Sequence, residues 1–153
     1  MNSAELEEQE RRLVFTRFTN DDAWDLGVRL VEMARERDLA VTVDIRRGDH
    51  RLFHHARPGT TADNDDWIER KIRVVRRFEA ASFRVGQRYR DQGTTFEVKS
   101  GLDPARYAAH GGCFPIRIAD AGLIGTVTVS GLPQAEDHAL VVEALELHLR
   151  PSG

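Results

Sequence analysis

The sequence of 153 residues contains one cysteine, Cys113, and no run of eighteen apolar residues. A single cysteine excludes an intrachain disulfide and a zinc site built from cysteines. The absence of a long apolar run argues against a membrane span. The first twelve residues are rich in glutamate and lack the apolar core of a secretory signal. We therefore expect a cytoplasmic protein with no membrane partner.

Several motifs of known chemistry are also missing. The sequence has no Gly-x-Gly-x-x-Gly or P-loop pattern, which removes the usual nucleotide-binding sites. It has no Cys-x-x-Cys-His haem attachment, and Ser130 is not flanked as in the Gly-x-Ser-x-Gly motif of hydrolases. The net charge of −3 argues against a general nucleic-acid binder. No nucleic-acid partner is expected.

Positive charge is nevertheless concentrated in one segment, from Arg70 to Arg90. Eight basic side chains fall within it, and Glu79 is its one carboxylate. Such a block is typical of a solvated helix face balanced by acidic neighbours. An anion site is the alternative interpretation.

Apolar periodicity predicts a single domain over residues 1–153 in which helices alternate with two hairpins. Leu13–Phe18 alternates like a first strand, and Thr19 is a good N-cap for the helix after it. Further strands are expected at 40–47, 50–56, 113–119 and 123–130, and further helices at 3–12, 64–81, 83–92 and 133–149. This order predicts an α+β fold, a three-layer α/β/α sandwich with a five-stranded antiparallel sheet.

Lys71 is an anomaly in this pattern, because helical spacing places it in an apolar stripe with Trp67 and Val74. Its aliphatic stem could lie along the core while the ammonium reaches water. Alternatively, the ammonium could meet a carboxylate or an anionic ligand. Asp44, on an apolar strand, is the expected protein partner, since a buried carboxylate needs a cation or several donors.

A second group of candidate residues brackets the second hairpin. His110, Gly111 and Gly112 precede its first strand, and Asp137 and His138 follow its second. Ends of an antiparallel pair lie on the same side of a sheet, so these residues could meet. The glycines allow close approach of a backbone or a ligand. Asp137 and His138 point about 100° apart on a helix, so His138 would need another partner such as His110.

Other histidines and the cysteine carry weaker signals. His50 and His54 share a strand face but are about 13 Å apart, so no metal site is expected there. One histidine of this strand, which also includes His55, could serve as an axial haem ligand. Cys113 is expected to be a small buried hydrophobe, although His110 lies close enough in sequence to act as its base.

Three motifs together resemble a known family. They are Gly111-Gly112-x-x-Pro115, the strand Ile-Gly-Thr-Val-Thr-Val-Ser-Gly ending at Gly131, and Glu136-Asp137-His138 before an apolar helix. This combination is similar to the GlcG/HbpS-like haem-degrading domain family. Within that family it most resembles the small stand-alone, largely uncharacterised branch. The strand at 41–45 and the helix segment at 67–71 also match, so Lys71 takes the place of the family's lysine. The resemblance implies a profilin-like fold.

The resemblance also implies a homo-oligomer built from dimers that binds haem or another small anionic ligand. The candidate ligand-binding residues are Lys71, His110, Gly111, Gly112, Asp137 and His138. Subunit contact is expected through the second hairpin, with Ile116 and the glycine pair. Two alternatives remain: a non-catalytic assembly or interaction protein, and an enzyme on a small polar substrate with His110 or His138 as base.

Overall fold

A computed structural model describes residues 1–151. The described part of the chain forms six helices and four strands. Their order is α1 (Ser3–Arg12), α2 (Asn20–Glu36), β1 (Thr42–Arg47), β2 (His50–Ala56), α3 (Ala62–Phe78), α4 (Ser82–Asp91), α5 (Phe96–Ser100), β3 (Cys113–Ile118), β4 (Gly122–Ser130) and α6 (Gln134–His148).

The strands form one antiparallel sheet in the order β2-β1-β4-β3. The predicted α+β fold with an antiparallel sheet is confirmed, but the prediction of a fifth strand is wrong. In Leu13–Phe18, Phe15 makes only an isolated bridge, parallel to Ile118. Phe15 and Phe18 pack edge to face with ring centroids 5.1 Å apart, and both are buried. Their spacing reflects burial in the core and not strand pairing.

Helix starts follow the capping residues. Thr19 caps α2 as predicted, and its hydroxyl and the carboxylate of Asp22 form a capping box. Thr61 and Asn64 form the same arrangement at the start of α3, two residues before the predicted start. α2 and α3 are the longest helices, with 17 residues each. No helix between residues 1 and 151 is long and apolar enough to cross a membrane.

The two faces of the sheet differ in polarity. One face carries Val43, Ile45, Val127 and Val129, which pack against α2 and α6 in the main core. The alternate residues face α3, and many of them are polar and buried: Thr42, Asp44, Arg46, Thr126, Thr128 and Ser130. Strand alternation therefore places a polar layer beneath α3. The candidate site lies at one end of this layer.

Candidate functional site

A pocket of about 240 Å³ opens where α3, the loop containing His110 and the first turn of α6 meet. We call it the Lys71 pocket. Three of the sequence-predicted residues, Lys71, His110 and Asp137, line it together. Its other lining residues are Asp63, Asn64, Trp67, Ser130, Gly131, Leu132 and Gln134.

Lys71 makes two polar contacts in the described structure. Its Nζ donates to Asp137 Oδ2 and to the carbonyl oxygen of Val129, both at 3.2 Å. The side chains of Lys71 and Asp137 are only 3% and 2% exposed. Lys71 therefore forms a buried ion pair and does not snorkel to water.

Asp137 receives further donors from the turn between β4 and α6. The backbone N–H groups of Gly131 and Leu132 donate to its carboxylate at 3.3 and 3.0 Å. Burial still raises the pKa of Asp137 to about 6, and burial lowers the pKa of Lys71 from its usual value. The same desolvation thus brings the proton affinities of the acid and the base closer together.

The expected partnership of Lys71 with Asp44 is wrong. Asp44 accepts from Arg46 Nε at 2.8 Å and from Arg51 Nε at 3.0 Å, and His54 Nδ1 lies 2.9 Å from it. Arg46 follows two residues later on the same strand face, and the other two partners come from the neighbouring strand β2. Cations of the sheet itself therefore satisfy Asp44 without α3.

The glycine pair is required by close packing. A Cβ at Gly112 would lie 2.3 Å from the carbonyl oxygen of Val129 and 2.7 Å from Lys71 Nζ. A Cβ at Gly111 would lie 2.2 Å from the carbonyl oxygen of Gln134. The Gly111 N–H donates to the side-chain oxygen of Gln134 at 3.0 Å, so it is not free for a ligand. The two glycines therefore allow the groups around the pocket to pack closely, and they do not line it themselves.

His110 forms part of the pocket wall with Trp67. Their ring centroids are 5.2 Å apart, and the Arg70 guanidinium lies 3.9 Å from the Trp67 ring. Burial is the main factor that lowers the pKa of His110 below its usual value. The imidazole is therefore neutral at pH 7, with a ring nitrogen able to accept a proton or ligate a metal.

His138 lies elsewhere, in a groove of about 760 Å³ beside α1, α4 and α6. Its ring stacks on Phe83 at 5.0 Å, and its Nε2 lies 2.8 Å from the side-chain oxygen of Gln9. Burial lowers the pKa of His138 to about 4. Its partner is Gln9 and not His110, because consecutive helical residues point in different directions.

Two of the other candidates, His54 and Cys113, are not free for chemistry, whereas His50 and His55 are exposed on β2 outside the Lys71 pocket. His54 Nε2 also lies 3.2 Å from Asp65 Oδ1, so His54 sits between two carboxylates. Cys113 is fully buried, as expected, and burial raises the pKa of its thiol to about 12. No group of three or more His, Cys, Asp or Glu between residues 1 and 151 is placed to hold a metal ion.

Several arginines of the basic segment are paired with acidic neighbours. Arg70, Arg76 and Arg84 form ion pairs with Asp66, Asp49 and Glu10 at 2.9, 3.2 and 3.2 Å. These pairs match the expected balance by acidic neighbours, although the side chains of Arg70 and Arg84 are only 15% and 19% exposed.

Sequence reasoning did not assign four polar residues to the pocket: Asp63, Asn64, Ser130 and Gln134. Asn64 Nδ2 lies 3.4 Å from Ser130 Oγ. The side-chain oxygen of Gln134 accepts a hydrogen bond from the Gly111 N–H. The signal for Asn64 was the Thr61-x-x-Asn64 capping box. Gln134 directly follows Pro133, which marks the start of α6.

Comparisons with known proteins give the same fold. A UPF0303 protein from Streptomyces coelicolor is 66% identical over 143 residues, which cover 94% of this chain and 90% of that protein. The crystal structure of the Ybr137w protein has a TM-score of 0.92 and 34% identity, covering 100% of this chain and 91% of the other.

A more distant structure is described as a complex of PduOC with haem. It has a TM-score of 0.69 and 17% identity and covers 87% of this chain and 95% of that one, which shows a shared fold. The family model described as "haem degrading protein HbpS-like" matches residues 18–146. The chain therefore belongs to the HbpS-like family of haem-degrading proteins, within its UPF0303 members.

Proposed function

We propose that this protein binds a small polar organic molecule in the Lys71 pocket. The observation that carries the proposal is that the buried Lys71–Asp137 ion pair lines an open pocket. Burying two charges costs free energy that their attraction repays only in good geometry. An ion pair of this kind beside a pocket places hydrogen-bonding groups where a ligand can use them.

The size of the pocket limits the ligand. At about 30 Å³ per water, 240 Å³ holds the volume of about eight waters. Drug-sized ligands occupy pockets of about 300–1,000 Å³. The ligand is therefore a molecule of a few carbon atoms.

The charges of the pocket favour an uncharged ligand. The positive charge of Lys71 is balanced by Asp137, and His110 is neutral. Asp63 adds a carboxylate to the lining. A bare anion would therefore find no unbalanced cation, whereas a hydroxyl or carbonyl group could bond to polar side chains such as Ser130.

Haem is the second candidate ligand, favoured by family membership and by the haem complex of the PduOC structure. His110 is the residue that fits an iron ligand, since its imidazole is neutral and lines a pocket. A tetrapyrrole exceeds drug-sized ligands, so the Lys71 pocket of one protomer does not enclose it.

The larger groove also fits haem poorly. His138 is engaged with Gln9, and the groove includes Glu136, Glu143 and Glu146. Its one arginine, Arg37, is paired with Glu143 at 2.7 Å. Haem propionates would therefore meet three carboxylates, against the already paired Arg37 and the amino terminus of Met1.

The test is a two-dimensional NMR titration of the protein with acetate, glycerol and hydroxyacetone as probes. We expect glycerol or hydroxyacetone to shift backbone signals of the pocket, including Gly131, while acetate shifts them less. Signals near Trp24, on the opposite side of the sheet, are the internal control. If no probe shifts the pocket signals, the proposal fails.

Haemin is titrated separately, with the parent protein beside the His110→Ala variant. Saturable binding with a Soret shift in the parent, lost in the variant, would establish haem at His110. Equal spectra for the two proteins would exclude His110 as the ligand, and His138→Ala is the matched control.

The homo-oligomer built from dimers also remains a proposal. Of the residues expected at its contact surface, Ile116, Gly111 and Gly112 are buried within one protomer, whereas β3 is an edge strand of the sheet, so contact through the second hairpin stays a prediction. The cytoplasmic location stays a prediction as well.

A further inference from the structure

We infer that Lys71 acts as a nucleophile and forms an imine with a small uncharged aldehyde or ketone in the Lys71 pocket. The inference rests on the proposed function and names the class of ligand. Four observations support it: the choice of lysine at this position, the place of its amine, the neighbouring acid and the chemistry of the lining.

The choice of lysine is unusual for this chain. Of its 22 basic residues only Lys71 and Lys99 are lysines. Within residues 1–151, all other ion pairs, including that of buried Arg46 with Asp44, use arginine or histidine. Arginine provides a permanent charge and a rigid fork of donors, whereas lysine can lose its proton and become a nucleophilic amine. Charge alone would not call for lysine here.

The place of the amine suits attack on a bound molecule. Lys71 lines the pocket, and two acceptors, Asp137 and the carbonyl oxygen of Val129, fix its Nζ. The missing Cβ of Gly112 leaves room for Nζ, since a methyl group there would lie 2.7 Å away. The amine is thus held in position while the pocket receives the carbonyl compound.

Asp137 can hold the proton that the amine must lose. It lies 3.2 Å from Lys71 Nζ, within hydrogen-bonding distance. Burial raises the pKa of Asp137 to about 6 and lowers the pKa of Lys71, so transfer of the proton to the carboxylate replaces two buried charges by two neutral groups. The free amine is the reactive form.

The reaction balances without an oxidant or a metal. The Nζ lone pair attacks the carbonyl carbon, and the electrons of the C=O double bond move to oxygen, which takes the proton from Asp137. The attacking nitrogen then returns a proton to Asp137. Loss of the hydroxyl group as water, with a proton supplied again by Asp137, leaves a C=N bond to Lys71. His110, in the same lining, is a second base for the water that later hydrolyses the imine.

The lining selects the carbonyl compound. Asn64, Ser130 and Gln134 place amide and hydroxyl groups in the pocket, which suits a compound with hydroxyl groups. The carboxylate of Asp63, also in the lining, disfavours a ligand that carries a carboxylate beside the carbonyl carbon. The substrate class is therefore a short hydroxylated aldehyde or ketone.

The experiment traps the imine. The folded parent protein is incubated at pH 7 with hydroxyacetone or glycolaldehyde and sodium borohydride, then digested and analysed by mass spectrometry. Reduction fixes the adduct as a secondary amine whose added mass is that of the probe less one oxygen atom. We expect labelling of Lys71 to exceed that of exposed Lys99 at least tenfold, and to fall to the level of Lys99 when the protein is denatured first.

Lys71→Arg provides the matched variant, because it keeps a cation for Asp137 but has no nucleophilic amine. We expect it to retain the folded spectrum and to lose labelling of the 71 peptide. The parent result does not depend on this variant, so a variant that unfolds leaves the test intact.

The NMR titration and the trapping experiment distinguish a failure of the proposed function from a failure of the imine inference. If NMR shows hydroxyacetone in the pocket but Lys71 is labelled no more than Lys99, the imine inference is overturned while the proposed function stands. If hydroxyacetone binds nowhere in the pocket and no adduct forms at Lys71, the inference fails, and the proposed function then depends on glycerol binding.

Discussion

The ammonium of Lys71 lies 3.2 Å from the carboxylate of Asp137, so a buried ion pair joins the middle of α3 to the first turn of α6. The two residues are 66 positions apart in the sequence. Their contact closes one side of the pocket on which both proposals depend. A substitution of either residue is therefore expected to change both the pocket and the stability of the fold.

Removing one member of the pair is expected to destabilise the protein strongly. Lys71→Met leaves Asp137 buried without its cation, at a cost of about 3–5 kcal/mol in the free energy of unfolding. Urea denaturation followed by circular dichroism measures it. The exposed Lys99→Met control is expected to change the free energy by no more than about 0.5 kcal/mol. An unchanged midpoint for Lys71→Met would show that the pair contributes nothing.

A Cβ at Gly112 is expected to distort the site. Gly112 has φ +136°, and the added methyl group of Gly112→Ala would meet Val129 and Lys71 within 3 Å. Gly122→Ala is the matched control, since Gly122 has φ +86° but open space around it. The control should lose about 1 kcal/mol from backbone strain, and Gly112→Ala clearly more. Equal losses in thermal unfolding would contradict the packing role of Gly112.

His138 is expected to make the protein acid-sensitive. Burial lowers its pKa to about 4 from a usual 6.5, so between these values the unfolded chain binds more protons than the folded one. Stability therefore falls as the pH drops through this window, by about 3 kcal/mol for this group.

The measurement compares the parent with His138→Phe by urea denaturation at pH 7 and pH 4. Other groups, including Asp137 with its opposite shift, are common to both proteins and cancel. The parent should lose about 3 kcal/mol more than the variant over this range. His55→Ala, at an exposed position, should follow the parent. Parallel pH profiles for parent and His138→Phe would refute the prediction.

Assembly is expected to use the surface around Trp24. This side chain is 62% exposed and lies against Phe53, with ring centroids 5.9 Å apart, beside the edge strand β2. Exposed aromatics and open strand edges are typical of subunit contacts. Light scattering should give a mass above the 17.3 kDa of one chain, and Trp24→Lys should lower it. A monomeric parent at micromolar concentration would end the oligomer proposal.

Sequence patterns predicted most helices and strands because their signals are local. The capping Thr19 and the β-branched runs act within a few residues. The error at Leu13–Phe18 has a physical reason as well. Phe15 and Phe18 are buried in the core, and burial of an irregular segment produces apolar spacing that resembles a strand.

The sequence by itself also determined that Lys71 needed an explanation and that His110, the glycine pair and Asp137 could meet at one end of a hairpin. Helical periodicity and strand direction are enough for both conclusions. Only the tertiary structure decided the partners. The cations that contact Asp44 lie on β1 and β2, and Lys71 contacts Asp137 instead. His138 points away from the Lys71 pocket and contacts Gln9. Which buried charge meets which depends on how α3 and α6 pack on the sheet, and no local pattern encodes that distance.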